Sequence, residues 1–350
     1  MPTLGRVWVR RLATRRFAFL CLTAVVVAPI YALTAKPVAS IEEAVVVAVQ
    51  SLIYAFVIGV PLAAAEILAF VAGTARRQRL PFAAMFALKT IGYAAWIVAG
   101  VAIAGSFTHA HEETSWDELL LHKGTLVAAG ITAIAINVFL SAGRLIGLKT
   151  LLSVVSGRHR RPHREERLFA FVDVRGATSA AERLGDLRFQ AYLVELFRII
   201  ELTALEAGGE VNDYIGDQVM LVWPAVPASG SDPLHWIAHL SREIAEGRES
   251  FDATYGMIPD LRVGMHVGSV IVGEVGQFRT KLAYLGDTVN TAARVEELAE
   301  GYSACALITG QVLERFPLPH DLLKATALGN WVLRGKQGAI DIYRLDLAAG

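Results

Sequence analysis

Residues 208–224, GGEVNDYIGDQVMLVWP, contain two short runs, EVNDYI and QVMLVW, separated by a tight turn at Gly216 and Asp217. They read as a β-hairpin. Upstream lies the apolar run LFAFVDV at 168–174, and between them DLRFQAYLVELFRIIELTALEAGG at 186–209 carries apolar residues at helical spacing. The order from 168 to 224 is therefore strand, helix, strand, strand. A second helix is expected near 233–254, then the paired runs LRVGMHV and SVIVGEVG, a helix opening at Asp287, and short late strands near ACALI, NWVLRG and IDIYRL. This succession predicts an α+β sheet domain of the ferredoxin-like βαββαβ kind.

Within that frame two aspartates stand out. Asp173 closes the first strand and is followed by VRGATS, where Gly176 lets the chain turn and Thr178 or Ser179 is placed to cap a helix. A helix N-terminus there faces phosphates favourably. Asp217 lies in the hairpin, which in a ferredoxin-like sheet sits beside the end of the first strand, so the two carboxylates should converge. Paired Asp oxygens are hard ligands suited to Mg²⁺ or Mn²⁺, ions that bridge phosphate oxygens and polarise a nucleophile. Either aspartate alone would be an ordinary turn or cap residue; their joint placement is what points to a metal site.

The rest of the chain has a different character. Of 350 residues, 54% are hydrophobic, and the mean hydropathy is +0.45, too apolar for one ordinary soluble domain. The excess lies in the first half, in four stretches at roughly 17–35, 44–72, 81–106 and 124–147, each long enough to span a bilayer. A cleaved signal peptide is the competing account of the first stretch, but no convincing small-residue cleavage site follows it and three more spans do. Arg6, Arg10, Arg11, Arg15 and Arg16 precede the first span, Arg76, Arg77 and Arg79 separate the second from the third, and a basic run follows the fourth. The loop between the third and fourth carries Glu112, Glu113, Asp117 and Glu118 instead. The positive-inside rule therefore puts both termini and the α+β domain in the cytoplasm of a multi-pass protein of the cell inner (plasma) membrane.

Glu66, Lys89 and Arg144 lie at similar depth near the cytoplasmic ends of these stretches, where isolated charges are costly, so they are expected to face one another. A structural clamp, snorkelling to the interface and a sensing role all fit. His109, His111 and His122, in or beside the outer loop, lack the tight spacing of a metal site. The division expected is a four-helix transmembrane domain over 1–148, a basic juxtamembrane linker over 149–167, KTLLSVVSGRHRRPHREER, and a catalytic domain over 168–350. Gly157 and Pro162 speak against one continuous helix through the linker, whose arginines suit anionic lipid head groups. The formal net charge of +0 gives no support for nucleic acid as a partner. Two cysteines, Cys21 and Cys305, suggest neither a disulfide framework nor a thiolate metal site.

Four blocks, FVDVRGATS, GGEVNDYIGDQVM, VGMHVGSVIVGEVG and LGDTVNTAARVEEL, in this order and spacing, resemble the class III adenylyl and guanylyl cyclases. The likeness covers nearly all of 168–346, and the membrane half resembles bacterial membrane-anchored adenylate cyclases. It implies that Asp173 and Asp217, with the backbone carbonyl of Val174, bind two divalent cations per site, Mg²⁺ or Mn²⁺. It implies further that Asn290 orients the ribose, that Arg294 stabilises the transition state, and that Arg334 or Lys336 holds the β- and γ-phosphates. The reaction implied is attack of a ribose 3′-hydroxyl on the α-phosphorus of a nucleoside triphosphate, catalysed mainly by positioning and charge neutralisation. Family sites are shared across a head-to-tail dimer, so a homodimer with two composite sites is implied.

The chain departs from the family pattern at the purine. Where adenylyl cyclases carry a lysine four residues before the second metal aspartate and an aspartate or threonine seven before the asparagine, this sequence has Asp213 and Ala283. The usual FT after Gly176 is Ala177 and Thr178. Asp213 could accept from guanine N1 and N2 hydrogens, whereas the bacterial relatives implied by the resemblance are mostly adenylyl cyclases. An adenylate cyclase is thus the leading expectation, a guanylate cyclase the second, and a catalytically silent cyclase-like membrane receptor the third. A diguanylate cyclase would need a GGDEF-type hairpin in place of NDYIGD.

Overall fold

The computed structural model describes residues 29–30, 33, 40–66, 81–108, 123–146, 161–226, 232–276, 281–303, 306–336 and 338–348. The chain divides into two compact units, residues 3–155 and residues 156–350.

In the first unit, α1 (Ile41–Tyr54) starts at Ser40, whose hydroxyl accepts from the Glu43 N–H at 3.2 Å, with Glu42 and Glu43 in the positive first turn. It continues through a π-helical turn at Ala55–Gly59 and on to Glu66. Helices α2 (Phe82–Thr108) and α3 (Lys123–Ile146) follow. Two helices among the described residues, Ile41–Glu66 and Phe82–Phe107, are long and apolar enough to cross a membrane, and α3 holds a shorter apolar segment, Gly130–Gly143. Only 11% and 17% of the two long apolar windows are buried, whereas the core helix of a soluble protein would be mostly covered. Tyr93, Ile97 and Ala133 form a small core with Ile58 and Leu62. Of the three charges expected to face one another, two do: Lys89 Nζ lies 2.6 Å from Glu66 Oε1, and the Tyr93 hydroxyl donates to the same oxygen, while the Arg144 side chain lies outside the described residues. Asn137 joins α3 to α2 by donating to the Phe86 carbonyl at 2.8 Å and to Thr90 Oγ1 at 2.7 Å.

Of the first apolar stretch, 17–35, only residues 29, 30 and 33 are described. The arginines at 6–16 and 76–79, the acidic outer loop with His109, His111 and His122, Cys21, Cys305, and linker residues 149–160 lie outside the described residues.

In the second unit, β1 (His163–Val174) takes in the last five residues of the expected linker, 163–167. His163–Arg167 extend the strand because they pair with Gly268–Val272 of β4, and on one face Glu165 lies 2.7 Å from His163 Nε2 and accepts from Arg167 Nε at 2.8 Å, neighbours two apart. After β1 come α4 (Ala177–Leu184), α5 (Asp186–Glu206), β2 (Glu210–Ile215), β3 (Gln218–Pro224), α6 (Pro233–Tyr255) and β4 (Leu261–Val275). Then follow β5 (Lys281–Leu285), α7 (Asp287–Leu298), β6 (Ala306–Thr309), α8 (Gly310–Arg315), β7 (Leu323–Trp331) and β8 (Ile340–Leu347). The sheet runs β2-β3-β1-β4-β6-β8-β7, with β5 attached to β4. Its first four strands, all antiparallel, have the order of a ferredoxin-like βαββαβ unit.

Alternation along β1 separates two cores. Leu168, Ala170, Val172 and Val174 face one side, with Tyr192, Leu196 and Ile200 of α5 and Trp236 and Ile237 of α6. Phe169 and Phe171 face the other, with Met220 and Val222 of β3, Val270 and Val272 of β4, and Leu282, Tyr284, Val289 and Ala292 from β5 and α7. Asp173, two residues past Phe171, falls on this second face.

Three local expectations change. LRVGMHV and SVIVGEVG form one strand, β4, because Gly268 serves close approach to α7, with Thr288 Oγ1 2.8 Å from where a Cβ would stand, and β5 pairs the second half. The first turn of α4 is capped by Gly176 in the left-handed region, φ 64°, leaving Thr178 and Ser179 inside the helix and exposed. The strand expected at NWVLRG ends at Trp331, and Leu333–Lys336 close a turn through Lys336 N–H to the Leu333 carbonyl, 2.9 Å.

Candidate active site

Asp173 and Asp217 come together at one end of the sheet. The β2–β3 turn that carries Asp217 depends on Gly216, which adopts φ 64°. Asp217 is held above the ordinary carboxylate range by burial, and the adjacent Asp173 carboxylate, within hydrogen-bond reach, pushes the same way. Asp173 is 6% exposed. Its counter-charge is Arg262, directly across the β1–β4 register, whose guanidinium engages Asp173 and reaches Glu296 at 3.0 Å and Glu300 at 3.2 Å. Gln218 Nε2 donates to the other Glu296 oxygen at 3.0 Å. Burial pushes the Glu296 carboxyl up to about 7, with Arg262 opposing and Asp173 adding to the rise. Val174 sends its side chain into the core, so only its backbone remains for a ligand.

Helix α7 can approach this region because Gly264 faces it: a Cβ there would lie 2.0 Å from the Glu296 backbone nitrogen. Asp287, Asn290 and Arg294 recur at helical spacing on one stripe of α7. Lys336 pairs with Asp287, and a Cβ at Gly335 would lie 3.3 Å from an Arg294 guanidinium nitrogen. Lys336 thus joins the Asn290 and Arg294 stripe, while Arg334 is exposed. Beneath α7, His266 is buried, its Nδ1 2.8 Å from Thr309 Oγ1, and burial together with nearby Lys336 lowers it to about 4. Among the described residues neither Asn290 nor Arg294 hydrogen-bonds to Asp173 or Asp217.

Asp213 sits on β2 opposite Met220, after a register shift between Val211 and Asp213. Opposed residues share a sheet face, so Asp213 lies on the side of α7 and β5. Its carboxylate pairs with Lys281 Nζ of β5 at 2.5 Å. Ala283 is two residues along from Lys281, and Gly176, Ala177 and Thr178 form the entry to α4 beside Asp173.

Sequence reasoning missed Arg262, Glu296 and Lys281. A charged residue inside LRVGMHV, whose neighbours are core, and a glutamate in the buried register of α7 were the available signals for the first two; Lys281 had none.

The donor set suits a divalent cation. Among the described residues no cluster of three or more His, Cys, Asp or Glu forms a closed cage, and Mg²⁺ typically takes one or two carboxylates and completes its shell with substrate phosphate and water. Two mutually repelling carboxylates, Asp173 and Asp217, would supply that partial shell.

Residues 163–346 match the family described as the adenylate and guanylate cyclase catalytic domain. Adenylate cyclase 2 of Rhizobium meliloti (strain 1021) is 34% identical over 262 residues, 74% of this chain and 71% of the relative. The adenylate cyclase of Anabaena cylindrica is 28% identical over 180 residues, which is 50% of this chain and 36% of that protein. A solved bacterial light-regulated adenylyl cyclase shares the fold, with a TM-score of 0.55 at 19% identity over 67% of this chain and 66% of that one. With the family match running from the first strand into the last and including Asp173 and Asp217, the chain belongs to the class III adenylate and guanylate cyclase family.

Proposed function

We propose that the chain is a membrane-anchored adenylate cyclase that converts ATP to 3′,5′-cyclic AMP and pyrophosphate in a shared-site homodimer. The observation that carries the reading is the convergence of the Asp173 and Asp217 carboxylates beside a helix bearing Asn290 and Arg294. The choice of ATP rests on likeness to the Rhizobium meliloti adenylate cyclase, which covers more of the chain than the catalytic segment alone.

Asp173, Asp217 and the Val174 carbonyl would hold two divalent cations, Mg²⁺ or Mn²⁺. When bound, these supply charge neutralisation at the triphosphate and polarisation of the ribose 3′-hydroxyl. Asn290 orients the ribose so that its 3′-oxygen lies in line with the α-phosphorus. Arg294 donates to the α-phosphate as the bond to the leaving pyrophosphate breaks, and Lys336 holds the β- and γ-phosphates. Gly176, Ala177 and Thr178 present the first turn of α4 to the phosphates. In one chain Asn290 and Arg294 do not engage the aspartates, which fits their serving a partner's metal pair in a head-to-tail dimer.

The membrane assignment follows the sequence: four spans over 1–148, a basic linker over 149–167 and a catalytic domain over 168–350, with both termini on the cytoplasmic face of the inner membrane. Its support is the outward-facing apolar surface of the two long helices. Purified full-length protein incubated with ATP or GTP and Mg²⁺ or Mn²⁺ should yield cyclic AMP from ATP. Cyclic GMP alone would make it a guanylate cyclase, and neither product from dimeric protein would leave the silent receptor.

A further inference from the structure

Arg175 lies two residues past Asp173, just beyond the end of β1, and its guanidinium reaches the far end of α7. It donates to the carbonyls of Ala299 at 2.7 Å, Glu300 at 3.0 Å and Tyr302 at 2.6 Å, in and just after the 3₁₀ turn Ala299–Gly301. Its backbone N–H donates to the Asp260 carbonyl at 2.9 Å, and Asp260 Oδ1 lies 3.4 Å from its Nε, so the guanidinium is aimed from behind. Carbonyls at a helix C-terminus have no intrahelical partner and carry the negative end of the dipole, which makes a guanidinium a fitting cap. Gln218 is the counterpart beside the other aspartate: it follows Asp217 directly and donates to Glu296 of α7 at 3.0 Å.

Each aspartate is thus followed by a side chain that grips the C-terminal part of the same helix. Gly264 lets α7 lie close against β4, but close packing alone leaves a helix free to slide along its axis, and hydrogen bonds to its terminal carbonyls remove that freedom. Arg294 stands about 8 Å along the axis from the pinned end, so a shift there carries Asn290 and Arg294 with it. We infer that Arg175 is a positioning residue that, with Gln218, braces α7 to both aspartate-bearing loops, so that the two half-sites of one chain move as one body. This rests on the shared-site reading above, in which those halves serve different composite sites: the brace is then the path by which the geometry of one site reaches the other.

Mixed dimers of full-length protein separate the two halves. When Asp217→Ala and Arg294→Ala chains pair, the one intact site takes its aspartates from the Arg294→Ala chain and its helix from the Asp217→Ala chain. Arg175→Met added to the helix-giving chain, whose own aspartate pair is already disabled, should lower kcat for cyclic AMP about tenfold with KM for ATP unchanged, because the displaced groups act in the transition state. Arg175→Lys, which keeps the charge but loses the planar fork, should not restore it. A fall only when Arg175→Met sits in the aspartate-giving chain would confine Arg175 to its own loop and overturn the brace, as would no fall in either chain. Hydrogen exchange of full-length Arg175→Met without nucleotide reads the brace apart from turnover: amides of 295–302 should exchange about tenfold faster while those of 192–204 in α5 keep their protection. Unchanged protection at 295–302, or an equal rise in both segments, overturns the brace. An inactive parent mixture whose mixed dimers are verified, with exchange raised at 295–302 alone, would sink the shared site and leave the brace standing.

Discussion

Arg262 stands directly across the β1–β4 pairing from Asp173 and engages that carboxylate while reaching Glu296 at 3.0 Å, so one guanidinium balances the end of β1 and the underside of α7. Asp217 feels the same guanidinium less strongly: burial first, and then Asp173, hold its carboxyl above the ordinary value against the lowering influence of Arg262. A carboxyl raised on folding favours the native state at low pH and loses that advantage as pH rises through its folded value. Asp217→Asn should therefore leave the melting temperature unchanged or higher at neutral pH while lowering cyclase activity about a hundredfold or more. Thermal unfolding and cyclic AMP formation on the same sample test this; a marked loss of stability would show that Asp217 is structural.

Removing Arg262 has the opposite signature. Arg262→Ala leaves Asp173 and the 3% exposed Glu296 without their cation, and breaking one side of a buried pair costs on the order of 3 kcal/mol. The melting temperature should fall by several degrees, and adding Glu296→Gln in that background should recover part of it, because the stranded charge is gone. Additive losses in the double variant would mean that the contact contributes nothing.

A shared site makes a quantitative prediction for mixed chains. Asp217→Ala and Arg294→Ala proteins should each be inactive, yet co-assembly restores one intact composite site per mixed dimer. Random mixing in equal amounts then gives roughly a quarter of wild-type activity. Mixed dimers that form, verified with two tags, without recovering activity would eliminate the composite site.

His266 predicts the acid limb of stability. Its folded value of about 4 lies below the ordinary 6.5, so between those values the unfolded chain binds the extra proton. Stability is complete above pH 6.5 and is lost as pH falls toward 4, by roughly 3 kcal/mol. Lys336 and Asp287 face it from above and Thr309 from the sheet. His266→Gln, which keeps a partner for Thr309, should flatten this limb in denaturant titrations at stepped pH. An identical slope in the variant would move the effect to other groups.

The strand and helix succession was legible because alternation and helical spacing are local, and the pairing of Asp173 with Asp217 followed from the hairpin's place beside β1. LRVGMHV and SVIVGEVG were read as two runs with Gly268 between them; a glycine signals either a bend or a close approach, and only the seating of Thr288 against β4 decides which. Lys281 was illegible for a similar reason. Its partner is 68 positions away on a strand with which β5 shares no backbone pairing, so no local pattern marks it. Where Lys336 and Arg334 lie likewise depends on the turn at Leu333–Lys336, which brings Lys336 to Asp287 and leaves Arg334 exposed.

The charges in the apolar half were legible for an energetic reason, since a lone carboxylate or ammonium at that depth is costly and a partner is required. Glu66 receives both Lys89 and Tyr93 from α2. Glu66→Gln and Lys89→Met should each weaken assembly or output more than the double substitution does, because each single change strands a charge and the double strands none. The coupling read from the four-protein cycle should be about 1 kcal/mol or more. Thermal unfolding in detergent together with cyclic AMP output provides the measurement. Strictly additive effects would show that the two side chains do not rely on each other, and equal losses on Tyr93→Phe would shift the anchoring role to the hydroxyl.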